Sequence, residues 1–172
     1  MQKYLSLSIF GLILATNWVL FSDEAGGFKI LAPQQMNTVS KQINTTIGPT
    51  TIHTFYTLPE PDSSQYFSVS YYDLDTSAIP LTDSLLQDLL WAIKSELLSG
   101  FHAVEAYSTL LDLPKGKGML FRAGYHEATQ VMKVQLRIYP PRVFILQVLL
   151  PHKIALSPIA DRFFDSFEYL RN

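Results

Sequence analysis

The sequence predicts an α+β fold in which an antiparallel β-sheet packs between α-helices, an α/β/α sandwich. Three observations predict it. Several segments, clearest in Gln130–Tyr139, alternate apolar and polar residues with the two-residue period of a strand. Residues 82–98 switch to a helical period, with Leu86, Leu89, Leu90, Ile93 and Leu97 on one side. The connections between the last four strand segments are too short for parallel crossovers, so neighbouring strands run antiparallel.

Taken in order, the chain opens with an apolar run, Tyr4–Phe21, preceded by Lys3 and followed by Asp23 and Glu24. A short positive start and a run of about 18 apolar residues read as an export signal or a retained membrane anchor. The expected division is a leader over residues 1–25 and one domain over residues 26–172. Ala25 is a weak cleavage position, because charged Asp23 stands where a small residue is wanted. Phe28–Ala32 reads as a first short strand stopped by Pro33. After the Gly48-Pro49 turn, Thr50–Leu58 is rich in Thr and aromatic residues, which suit a pleated surface. Gln65–Leu74 places Phe67, Val69 and Tyr71 on one side and Ser68, Ser70 and Tyr72 on the other. Thr82 is the expected N-cap of the helix, with Asp83 in its first turn and Gly100 just past its end.

Four strands follow: Val104–Leu113, Met119–Tyr125, Gln130–Tyr139 and Val143–Leu150. In Gln130–Tyr139, Met132, Val134, Leu136 and Ile138 alternate with Lys133, Gln135 and Arg137, which predicts one buried and one wet face. Val143–Leu150 is nearly continuous in apolar residues and is expected at the centre of the sheet. Ser157-Pro158 opens a terminal helix with Ile159, Phe163, Phe167 and Leu170 as its inner stripe.

Composition narrows function. Charged residues are 16% and apolar residues 48%, enough apolar surface to offset chain entropy and exclude a disordered chain. Net charge is -2, and removing the leader takes away only Lys3 among the charges up to Phe21. No basic excess exists for neutralising nucleic-acid phosphates. With no cysteine, there is no disulfide, thiolate metal site, Cys nucleophile or lipidated Cys.

Several phrases occur in a particular order: FKILAP, NTTIGPTTIHTFYT, YFSVSYYDL, a helix, LPKGKGMLFRA, VMKVQLRIYPPRVFILQVLLP and a closing FFDSFEYL. This series resembles the PsbP-like family, the group of the extrinsic photosystem II protein PsbP and bacterial relatives of unassigned function. The resemblance spans about residues 28–170. It implies an antiparallel sheet between helices and a mostly non-enzymatic accessory or binding role, with several members exported and membrane-associated. The lipidated-Cys attachment of bacterial members is unavailable to this chain. No catalytic signature of the family maps onto numbered residues here.

The chemistry-bearing residues are dispersed. His53, His102, His126 and His152 have no pair at metal-ligand spacing, and His102 with Glu105 is a weak pair at most. No G-x-S-x-G elbow occurs. Asp73 and Asp75 stand two apart after a strand, and Asp161 and Asp165 one turn apart, as solvating and dipole-complementing residues. Gly116-Lys117-Gly118 lacks a phosphate-loop frame and reads as a hairpin turn. Lys133, Arg137 and Arg142, with Lys115 and Lys117 elsewhere, form a candidate basic patch for headgroups or an acidic partner. Tyr56, Tyr66, Tyr71, Tyr72 and Tyr107 form either a cross-strand ladder or a binding surface. Trp91 is expected half-buried on the helix. Asn44-Thr45-Thr46 matches the glycosylation pattern, a match common by chance.

No catalytic, cofactor-binding or metal residue is assigned, and no cofactor is expected. The leading expectation is an exported, non-catalytic binding or assembly module with a protein partner at a membrane and no nucleic acid, in a periplasm or lumen-like compartment. The alternatives are a small hydrolase using His53, His102 or His126 with Asp73, and a small-ligand carrier with a pocket between the sheet and the 82–98 helix.

Overall fold

The structure is a computed structural model, and it describes residues 18–45, 48–59, 64–75 and 81–170. The strands are β1 (Val19–Asp23), β2 (Phe28–Ala32), β3 (Asn37–Thr45), β4 (Gly48–Thr57) and β5 (Tyr66–Asp73). After helix α1 (Asp83–Gly100) come β6 (Val104–Leu113), β7 (Gly116–Tyr125), β8 (Gln130–Tyr139) and β9 (Arg142–Pro151). Helix α2 (Ile159–Asp165) and β10 (Glu168–Tyr169) close the chain. A seven-stranded sheet runs β3-β4-β5-β9-β8-β7-β6, with every neighbouring pair antiparallel. β9 is its central strand, as its apolar run requires.

Each face of this sheet carries its own core. On one face α1 lays Leu86, Leu89, Leu90 and Ile93 against Met119, Phe121, Met132, Val134, Leu136 and Ile138. Thr82 caps the helix, its hydroxyl accepting from the Leu85 N–H. Helix period thus meets strand period on the α1 side, as the sequence predicts.

The other face departs from the predicted sandwich. It is covered by a three-stranded sheet, β1-β2-β10, together with the short helix α2. Phe28, Ile30 and Ala32 of β2 are fully buried against Phe67, Val69, Phe144, Leu146 and Val148. The terminal helix stops at Asp165 because Ser166 bonds to the backbone: its hydroxyl donates to the Phe163 carbonyl and accepts from the Leu31 N–H. The chain then extends. Phe167 stacks on Phe28 with ring centroids 5.7 Å apart, and Glu168 and Tyr169 pair with Lys29 and Phe28. Leu170, placed on the inner stripe by helical spacing, is 44% exposed.

A strand, β1, also precedes residue 26. β1 pairs along its whole length with β2, and Phe21 packs on Phe28 and Phe55 at 6.1 and 5.1 Å. Residues 18–25, assigned to the leader by the sequence, are part of the fold; residues 1–17 lie outside the described residues. Strand β3 falls in a stretch the sequence leaves as loop. It is a polar edge strand, NTVSKQINT, exposed through most of its length. With no buried face it carries no period to read. The face of β8 expected to be wet is half-covered instead, since the Arg137 guanidinium donates to the Phe164 carbonyl beneath α2.

Gly116 opens β7 at the close approach to β8. A Cβ there would lie 2.0 Å from the Ile138 carbonyl oxygen, so the glycine is needed for strand packing and the hairpin rather than for phosphate.

Candidate functional site

The densest polar constellation lies at the end of the sheet where β5 and β9 meet. Asp73 and Arg142 are register partners across the two strands. The Arg142 Nε and Nη2 donate to the two oxygens of Asp73, each at 2.6 Å. Its Nη1 donates to the carbonyls of Ala25 and Gly26, each at 2.7 Å. The guanidinium also lies over the Tyr71 ring, 4.6 Å from its centroid. Arg142 is 5% exposed, and the Asp73 hydrogen bonds raise its pKa further, so it stays charged. This residue, expected in a basic surface patch, is a buried clamp joining the β1–β2 turn to the central sheet.

His53 stands beside this clamp. It stacks on Tyr71 with centroids 4.9 Å apart, and its Nδ1 lies 2.9 Å from the Ser40 hydroxyl on the edge strand. A shallow depression brings His53 together with Asp73, the pair a hydrolase would use. Asp73, however, gives both oxygens to Arg142. His102, in the turn after α1, shares a depression with Glu105, Arg122, Glu127 and His152. His126 lines a different one, beside Tyr125. The three histidines of the hydrolase alternative are therefore not brought to one place. Among the described residues, no group of three or more His, Asp or Glu is arranged to hold a metal ion.

The candidate basic and tyrosine clusters are redistributed. Lys117 pairs with Asp83 on the α1 side at 3.1 Å, while Lys133 and Arg137 lie on the opposite face. Arg122, which the sequence does not single out, sits directly opposite Lys133 across β7 and β8. Tyr71 joins the core beneath β2 and Tyr72 the core beneath α1. Tyr56 and Tyr66 stack at 6.1 Å, while Tyr107 projects from the edge strand β6. Trp91 is 42% exposed, with the Lys94 ammonium 4.1 Å from its ring centroid.

Lys94 is a buried cation that helical spacing alone does not mark. It is 5% exposed and ties α1 to β6 through Glu105 at 2.7 Å and the Ser108 hydroxyl at 3.3 Å. The Lys94 hydrogen bond holds the Glu105 carboxyl below its ordinary value of 4.5. A depressed carboxylate stabilises the fold fully above its unfolded pKa, and that contribution is lost as pH falls through the folded value. Glu105→Gln is therefore expected to flatten the acid side of the stability–pH curve below about pH 5. Urea unfolding at stepped pH checks this, and an unchanged acid slope would contradict it.

Two further features have the character of binding surfaces. The first is a cavity of about 220 Å³ between α1 and strands β3–β5, with Ile52, Tyr72, Leu74, Leu89 and Ile93 in its wall and Asn44 and Glu96 among its polar residues. Tyr72 is 5% exposed, and burial, with a smaller contribution from Glu96, pushes its phenol up to about 12.

The second is β6, one of the two edges of the main sheet. The other edge, β3, is polar and carries Lys41, a usual safeguard against unwanted strand pairing. β6 presents Val104 at 76%, Tyr107 at 48% and Leu110 at 46% exposure over ten residues. Its Glu105 is already paired with Lys94.

No protein-family model and no curated protein matches the sequence. Among solved structures, the fold is similar to the solution structure of cyanobacterial PsbP (CyanoP) from Synechocystis sp. PCC 6803, with a TM-score of 0.63. The two share 10% sequence identity, over 92% of this chain and 96% of that one. The chain thus has a PsbP-like fold. Among the described residues, no helix is long and apolar enough to cross a membrane.

Proposed function

We propose that this chain is a non-catalytic binding or assembly module of the PsbP-like type, exported and working at or near a membrane. The observation that carries the proposal is the edge strand β6, which exposes large apolar residues on either side of a bulge between Glu105 and Tyr107. An extended, exposed strand with Val104, Tyr107 and Leu110 is a ready template for a partner strand, whose backbone would continue the sheet. The occupant is an extended segment of a protein partner bearing acidic residues. On the sheet face shared by Tyr107, the next two strands place Arg122 opposite Lys133. Lys133 already has the Asp161 carboxylate at 3.9 Å, and a partner carboxylate would add a counter-charge nearer Arg122.

Export is supported by the leader once the fold takes residues from Trp18 onward. The apolar stretch then left, Tyr4–Asn17, is about 14 residues. That suits the core of a signal peptide and falls short of the roughly 20 residues of a spanning helix.

A photo-crosslinker at Leu110, in chains expressed in the native host, is expected to give a discrete adduct with a second protein. Leu110→Lys placed in the same background, with the crosslinker moved to Tyr107, is expected to reduce that adduct at least tenfold. Its effect on stability should stay within about 0.5 kcal/mol, since Leu110 is an exposed edge position. Adducts formed only between copies of the chain would instead make β6 a self-pairing edge. No adduct at all would remove the basis of the proposal.

A small-ligand carrier is the second reading, and the cavity beneath α1 favours it.

A further inference from the structure

We infer that the cavity between α1 and strands β3–β5 takes a small apolar alcohol or phenol, its hydroxyl held between Tyr72 and Glu96. The inference rests on the carrier reading and gives it a ligand class. The cavity wall is mostly aliphatic, and 220 Å³ is room for about seven water molecules at roughly 30 Å³ each. Aliphatic lining makes water a poor occupant, because each buried water needs two to four polar partners.

Among the described residues, four polar ones line the cavity, Asn44 and Thr45 from β3, Tyr72 from β5 and Glu96 from α1. Buried tyrosine hydroxyls ordinarily find a hydrogen-bond partner. Tyr72 is 5% exposed, and its hydroxyl, which is not one of the buried polar atoms left without a partner, is reached by solvent at the cavity, where a ligand can meet it. Glu96, in the same lining, is exposed on α1 and close enough for its charge to act on the Tyr72 phenol. The phenol remains protonated at neutral pH and is a donor, whereas the carboxylate is an acceptor only. One ligand hydroxyl satisfies both, accepting from Tyr72 and donating to Glu96. A ligand carboxylate would be repelled by Glu96, and an ammonium would have an aliphatic wall on its remaining sides. The body of the ligand replaces solvent along Ile52, Leu74, Leu89 and Ile93.

Thymol and p-cymene, which differ by one hydroxyl, are the probes. Each is titrated into the isotope-labelled full-length protein while isoleucine methyl resonances are followed. Thymol is expected to shift the methyls of Ile52, Ile93 and Ile145 selectively and to bind about tenfold more tightly than p-cymene. Tyr72→Phe is expected to erase that difference while leaving p-cymene binding intact. Ala92→Phe, which fills the cavity from the helix side, is expected to abolish both. Equal binding of the two probes, unaffected by Tyr72→Phe, would overturn the ligand class and leave a carrier of apolar molecules. Absence of selective methyl shifts with either probe at its solubility limit would overturn the carrier reading itself.

Discussion

Arg142→Ala is expected to lower the stability of the folded chain by about 3–5 kcal/mol, the combined cost of leaving two backbone carbonyls without this donor and of losing the packing of a buried guanidinium. The reason is what the truncation leaves behind. Asp73 loses both donors at 2.6 Å, and the carbonyls of Ala25 and Gly26 lose theirs at 2.7 Å. The Tyr71 ring loses the guanidinium stacked on it. A lysine does not replace this arrangement: its ammonium is a point charge without the planar fork that meets two carboxylate oxygens and two carbonyls together. Arg142→Lys should therefore recover less than half of the loss. Asp73→Asn should cost less, about 1–2 kcal/mol, because the amide oxygen still accepts from the guanidinium although the buried cation loses its counter-charge. Urea unfolding midpoints at neutral pH separate these values. A loss below about 1 kcal/mol for Arg142→Ala would mean that the clamp is an ornament on a turn already fixed by β1–β2 pairing.

The placement of Arg142 shows where sequence pattern stops being informative. In sequence it follows Pro140-Pro141 and resembles the neighbouring Lys133 and Arg137, all three on the strands of one hairpin. Its partner Asp73 is 69 residues away, and the carbonyls it binds are more than 110 residues away. Nothing periodic links such positions. Sequence pattern did identify α1, β7 and β8, whose alternation or helical stripe meets a dense core, and β9, whose apolar run is buried on both faces, while β6 was placed by the short hairpin that joins it to β7. It missed β3, whose faces are mostly solvated, and β10, whose two residues are too few to show a period. It extended α2 too far because Phe163 and Phe167 lie four apart and fit a helix. The phenylalanines do share a core, but Phe167 reaches it from extended chain released by Ser166. The candidate binding features divide the same way. A pocket beneath the helix follows from laying one helix across a wider sheet, and was foreseeable. The Arg122–Lys133 opposition depends on strand register, which the composition of neither strand discloses.

The N-terminal strand supplies the other large effect. A chain beginning at Gly26 is expected to lose at least about 3 kcal/mol relative to one beginning at Trp18, or to fail to unfold cooperatively. β1 is one of only three strands in the small sheet that covers one core, and β2 would be left with a two-residue partner, β10. Phe28 and Phe55 would lose Phe21 from their cluster, and Phe67 would lose the edge of Trp18 at 6.0 Å. The Gly27 N–H would lose the Asp23 carbonyl that closes the β1–β2 turn, at 2.8 Å. The turn itself would be cut beside Ala25, whose carbonyl is one of the four acceptors of Arg142, so this truncation and Arg142→Ala should not be additive. Circular dichroism and urea unfolding of the two chains test the effect. The same comparison bears on processing. If β1 is needed for a stable fold, an export signal must be cut on the N-terminal side of Trp18, and the mass of the native protein should place its first residue there. A native chain beginning at Gly26 with the full stability of the longer one would show that β2 and β10 cover the core unaided, and that β1 belongs to the leader after all.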